Sequence, residues 1–131
     1  MNRILVIEDE TQVRENVEEI LELSDYFTIT AEDGVNGLQL AQENLPDLII
    51  CDIMMPNLDG YGVLTKLREN PLTSAIPLIF LTAKSDRCDL RQGMELGADD
   101  YITKPFSAEE LLNSVNTRLN KIKAINSQYQ E

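Results

Sequence analysis

Residues 48–60 read LIICDIMMPNLDG. Leu48, Ile49 and Ile50 make a continuous apolar run, the pattern of a strand buried on both faces in a parallel sheet. The run ends at Asp52, and Pro56 with the pair Asp59-Gly60 then marks a turn. A carboxylate at the end of a buried strand is costly unless something offsets its charge.

Outward from this strand the chain repeats one pattern. Five β-rich runs are predicted at Arg3–Glu8, Tyr26–Ala31, Asp47–Asp52, Pro77–Thr82 and Asp100–Thr103. Helical periods fall between them: Thr11–Leu23 with Val13, Val17, Ile20 and Leu21; Gly34–Asn44 with Val35, Leu38 and Ala41; Asp59–Glu69 with Val63, Leu64 and Leu67; Asp86–Leu96 with Leu90 and Met94; and Ser107–Ile125 with Leu111, Leu112, Val115, Leu119 and Ile122. Strand and helix alternating five times imply an α/β fold, a parallel sheet with helices on both faces. Ile4–Ile7 and Leu78–Leu81 share the apolar continuity of Leu48–Ile50, whereas Tyr26–Ala31 alternates and reads as an edge strand. One domain is expected over 1–125, with 126–131 a polar tail or the start of a linker.

The composition narrows the function. The 131 residues carry 43% hydrophobic residues, enough for one packed core. No stretch approaches the roughly 18–20 apolar residues of a membrane span, and the N-terminus lacks a signal-peptide run, so a cytoplasmic protein with no membrane role is expected. A net charge of −12 argues against nucleic-acid binding by this domain. Cys51 and Cys88 lack metal-ligand spacing and read as small apolar residues. The histidine count is zero, which removes histidine-based catalysis, ligation and phosphocarrier roles.

In open α/β sheets ligands bind beyond the carboxyl ends of the strands. The residues predicted there are Glu8 and Asp9 after the first strand, Asp52 ending the third, Thr82 ending the fourth and Lys104 after the fifth. Taken singly each has a plainer reading, as a turn or cap residue, a polar strand end or a solvated lysine. Taken together they are three carboxylates that need a cation between them, a hydroxyl and an ammonium. All-oxygen ligation favours Mg²⁺, with Mn²⁺ as an alternative. A carboxylate beside such an ion can attack phosphorus, and Lys104 and Thr82 can then hold the phosphoryl oxygens.

The segments ILVIEDE (4–10), PDLIICDIMMPNLDGYGVL (46–64), IPLIFLTA (76–83) and GADDYITKPF (97–106) resemble the receiver domain of bacterial two-component response regulators. The resemblance covers residues 3 to 123 and implies the flavodoxin-like (βα)5 fold with strand order 2-1-3-4-5. It implies that Asp52 is the phosphorylated residue, that Asp9, Glu8, Asp52 and the backbone carbonyl of Met54 hold Mg²⁺, and that Thr82 and Tyr101 form a switch. It assigns phosphate binding to Lys104, room for the donor to the small Ala83, and a cis bond to Lys104–Pro105. The implied partners are a sensor histidine kinase or phosphotransfer protein and a downstream effector domain or protein. The face of the fourth helix, fifth strand and fifth helix is the implied output surface.

In the winged-helix members of that family this face pairs as a dimer through a charged network. Asp99, Asp100, Glu110 and Lys121 match parts of it, while Leu90 and Ser114 stand where basic partners are usual, so a homodimer stays open and less secure. Neither Met54 nor Lys84 can orient an attacking water, which implies slow self-dephosphorylation. Two other classes fit less well. A phosphohydrolase with an aspartyl nucleophile would want an acid at Met54, and a flavin protein of this fold would not place EDET (8–11) against a phosphate. A signalling domain rather than an enzyme is therefore expected.

Overall fold

The structure, a computed structural model, describes the backbone of residues 2–83 and 90–129 and the side chains of 2–83 and 91–123. Its strands are β1 (Arg3–Ile7), β2 (Phe27–Ala31), β3 (Leu48–Asp52), β4 (Leu78–Ala83) and β5 (Asp100–Lys104). Its helices are α1 (Thr11–Leu23), α2 (Gly34–Asn44), α3 (Gly60–Glu69), α4 (Leu90–Glu95) and α5 (Ala108–Tyr129). The sheet is parallel throughout, in the order β2-β1-β3-β4-β5. This is the flavodoxin-like arrangement, with β1 and β3 adjacent at its centre and the switch in strand order between them.

Alternation along the strands divides the core. Leu5 and Ile7 of β1, with Ile49 and Cys51 of β3, face a cluster with Val63, Leu64 and Leu67 of α3 and Ala41 of α2. Ile4, Val6, Leu48 and Ile50 face the opposite cluster, with Val17 and Leu21 of α1 and Leu111 and Val115 of α5. All five residues of β3 are buried, whereas the two edge strands, β2 and β5, are partly exposed.

Two helix faces differ from the periodicity. Val35 is 59% exposed, and α2 instead buries Gly34, Gly37 and Ala41. The reason is close approach: a Cβ on Gly37 would lie 2.4 Å from Ile7 Cδ1, and one on Gly34 2.5 Å from the Leu58 carbonyl oxygen. In α4, Met94 is 46% exposed and Gly93 is buried against the Phe80 ring. Hydrophobicity alone does not reveal a face made of glycine and alanine.

Several boundaries differ by a residue because side chains close the ends. Asp59 precedes α3, and its side chain accepts from Gly62 N at 2.9 Å. Ser107 precedes α5 and accepts from Glu110 N at 3.1 Å. Tyr26 N donates to Leu21 O, so Tyr26 completes the end of α1 rather than starting β2. Helix α5 runs on to Tyr129, past the predicted end at Ile125. Lys84, Cys88 and the residues 86–89 expected to begin α4 lie outside the described residues, as does the side chain of Leu90.

Candidate functional site

Register brings the carboxylates together. Ile7 of β1 lies opposite Cys51 of β3, so Glu8 and Asp52 come one step later at the same sheet edge. Glu8 N donates to Ala31 O at 3.1 Å, which keeps Glu8 in line beyond the strand. Glu8 is 0% and Asp52 3% exposed, whereas Asp9 is exposed. Carboxylate oxygens of Glu8, Asp9 and Asp52 lie within 4.8 Å of one another.

The fourth and fifth strands complete the edge. Thr82 is buried and lies opposite Thr103, and Ala83 lies opposite Lys104. Strand β4 separates β5 from β3, so the Lys104 side chain reaches across it, past the small Ala83. Its Nζ is 2.6 Å from Glu8 Oε1 and 3.6 Å from Asp52 Oδ1. The Lys104–Pro105 peptide bond is cis. Met54 follows β3 with its side chain 51% exposed. Tyr101 is 43% exposed.

The electrostatics are unbalanced. Burial, then close contact with Glu8 and its charge, push the Asp52 carboxyl up to about 8, against the lowering effect of Lys104. Burial pulls the Lys104 ammonium down, but contact with Glu8 and the charges of Asp52, Glu8 and Glu10 raise it overall. Glu8 Oε1 and Asp52 Oδ1 are buried, and the Lys104 ammonium is the cation that faces them both. One ammonium faces two such oxygens with an exposed third carboxylate beside them, so the cluster is short of positive charge. That deficit and the all-oxygen donor set fit a hard divalent cation held by Glu8, Asp9 and Asp52. Cys51 is no competing ligand, because burial and then the charges of Asp52, Glu8 and Asp59 push its thiol well up.

On the far side of β5 the acids are engaged within the chain. Asp99 Oδ2 accepts from Leu78 N at 2.8 Å and pairs with Arg68 at 3.4 Å. Asp100 Oδ2 accepts from Ser114 Oγ at 2.6 Å, and Glu110 caps α5 with Ser107. Lys121 is exposed. An open groove of about 730 Å³ with Val13, Pro105 and Phe106 in its walls also takes in Lys104 and Ala83.

Two contributors escaped the motif reading. Arg14 Nη1 donates to Glu8 O at 2.8 Å and braces the acidic loop. Arg68 donates to Ile76 O at 2.7 Å and Gly97 O at 2.9 Å, tying α3 to the loops that lead into β4 and β5. Arg14 had one signal in sequence, as the sole basic residue of an acidic first helix. Arg68 had none, because its carbonyl partners exist only in the fold.

Comparison with known proteins agrees with this geometry. A family model described as response regulator receiver domain matches residues 4–116. The transcriptional regulatory protein DltR of Streptococcus agalactiae is 46% identical over 116 residues, covering 88% of this chain and 51% of DltR. RpaA of Synechocystis, a DNA-binding dual master transcriptional regulator, is 42% identical over 121 residues, covering 92% of this chain and 50% of RpaA. The chain thus spans about half the length of these curated relatives. A receiver domain structure from Clostridium thermocellum superposes with a TM-score of 0.87 at 31% identity, covering 95% of this chain and 99% of that one. The receiver domain of the Pseudomonas aeruginosa sensor histidine kinase PA1611 gives a TM-score of 0.84 at 28% identity, covering 91% of this chain and 98% of that one. That structure holds a magnesium ion in its active-site cleft.

Proposed function

The chain belongs to the response regulator receiver domain family, and on that premise we propose that it accepts a phosphoryl group on Asp52 from a phosphohistidine of a sensor kinase or phosphotransfer protein. The observation that carries this reading is the buried Asp52 carboxylate at the sheet's carboxyl edge, within 4.8 Å of two further carboxylates and 3.6 Å from Lys104.

An Asp52 carboxylate oxygen attacks phosphorus as the P–N bond to the partner imidazole breaks, and the imidazole nitrogen keeps the bonding pair and takes up a proton. The product is an acyl phosphate on Asp52. Lys104 contributes a point charge to the phosphoryl oxygens, and the Thr82 hydroxyl a hydrogen bond. Glu8, Asp9, Asp52 and the Met54 carbonyl would hold Mg²⁺, which when bound supplies charge neutralisation for those oxygens. The partner must bring the histidine, since this chain has none. The groove beside Ala83 leaves an approach to the site.

The new charge then biases the output face. Thr82 moves toward the phosphoryl group, the exposed Tyr101 turns inward, and the surface of α4, β5 and α5 changes its packing. Relatives that act as transcriptional regulators support an output domain or protein in transcription. Incubation with acetyl phosphate and Mg²⁺, followed by intact mass, tests the reading. One phosphoryl adduct is expected on the native chain and none on Asp52→Asn. An adduct that survives the substitution overturns it.

A further inference from the structure

In the cluster of four charged groups at the sheet edge, Lys104 faces the wrong carboxylate for an acceptor-bound lysine. Its Nζ is 2.6 Å from Glu8 Oε1 but 3.6 Å from Asp52 Oδ1. We propose that Glu8 is a positioning residue for Lys104, holding the ammonium off Asp52 in the metal-free chain and releasing it when a divalent cation takes the Glu8 carboxylate. This rests on the reading of Glu8, Asp9 and Asp52 as a cation site.

Glu8 is built to hold its place. Its N–H donates to Ala31 O at 3.1 Å, its carbonyl accepts from Arg14 Nη1 at 2.8 Å, and its Oε2 accepts from Glu10 N at 3.3 Å. Backbone and one carboxylate oxygen are therefore committed, and only Oε1 remains, fully buried and turned to Lys104. Reach is the second element. An aspartate on the same anchored backbone would stop one carbon–carbon bond short, about 1.5 Å. Register is the third. Lys104 emerges opposite Ala83, so its ammonium arrives over β4 and can close on either neighbour. The ammonium is at contact distance from Glu8 Oε1 and at looser ion-pair distance from Asp52 Oδ1, and a divalent ion attracted to the triad competes for the same Glu8 oxygen.

The competition makes Glu8 and Lys104 non-additive in cation binding. Titration calorimetry of Mg²⁺ into the whole chain is run with and without Lys104→Met, in backgrounds carrying Glu8, Glu8→Asp or Glu8→Gln. Removing the ammonium tightens Mg²⁺ with Glu8 present by a factor more than about twofold larger than in either substituted background, beyond the margin of independent sites. Equal factors within that margin, or a larger factor without Glu8, overturn the proposal. Glu8→Asp separates reach from charge, since it keeps the carboxylate. Urea-unfolding cycles in EDTA at alkaline pH, where both carboxylates are ionised, give a second, metal-free readout, in which Lys104 couples more strongly to Glu8 than to Asp52. Coupling to Asp52 as strong or stronger likewise overturns it. If no background binds Mg²⁺, the cation-site reading and the release step fall, and the EDTA cycles alone decide whether Glu8 holds Lys104.

Discussion

Asp52 sits in an electrostatic conflict between burial, Glu8 and Lys104, and its consequences are readable at that one residue. Its carboxyl is held up to about 8, chiefly by burial. The folded metal-free chain therefore keeps a proton that the unfolded chain has lost at any pH between the ordinary carboxylate range and about 8. Stability from this group is complete below that range and is lost as pH rises through it toward 8. Asp52→Asn is expected to remove the slope and to stabilise the metal-free chain at pH 8 by on the order of 1–3 kcal/mol, the cost of an uncompensated buried polar or charged group. Urea midpoints in EDTA at pH 5 and pH 8 check this; an equal gain at both would contradict it. A second expectation belongs to Met54, whose half-exposed apolar side chain offers no group to orient water. The phosphorylated chain should lose its phosphoryl group slowly, and labelled protein that decays within seconds in Mg²⁺ would refute this. Glu8, Asp9, Asp52, Thr82 and Lys104 were legible as a group because strand ends converge in this fold class. That Lys104 lies closer to Glu8 than to Asp52 was not, because a one-ångström choice between carboxylates depends on anchoring by Arg14 and Ala31.

The elements around the site are fixed by close backbone contacts. Helix α3 starts at Gly60, where a Cβ would lie 2.6 Å from the Asp52 carbonyl oxygen and 2.8 Å from Ile53 Cα. Gly60→Ala must push the helix start away from the end of β3. It is expected to cost about 1–3 kcal/mol as an overpacking change and to slow phosphorylation by acetyl phosphate. Unchanged stability and rate together would show that the loop yields freely. Farther from the site, Arg68 joins α3 to Ile76 O and Gly97 O. Arg68→Ala leaves those carbonyls without that donor and should destabilise by about 1–3 kcal/mol, with the Mg²⁺ affinity unchanged. Urea unfolding and calorimetry separate the two effects. Sequence period located all five helices, yet it assigned the wrong inward residue in α2 and α4. Val35 and Met94 fit the apolar period as the larger side chains, whereas the glycines near them are what let the helices approach Ile7, Leu58 and Phe80.

At the scale of the molecule, a net charge of −12 leaves the chain self-repelling, and part of that charge is concentrated in the carboxylate cluster. Mg²⁺ should raise the melting temperature more than an equal ionic strength of NaCl, by the linkage of specific binding to folding. In Asp52→Asn that excess should shrink; equal shifts from both salts in the native chain would argue for screening alone. Among the described residues no helix is long and apolar enough to cross a membrane. The sequence by itself determined the alternation of strands and helices, the buried centre of the sheet and the residue types at its carboxyl edge. Those follow from periodicity and from local chemistry, which are carried by neighbours along the chain. Tertiary structure alone decided which helix faces close on glycine, how Arg68 and Ser114 engage Asp99 and Asp100, and which carboxylate holds Lys104. Those outcomes depend on distances between segments far apart in sequence, set by strand register and by how closely the layers pack.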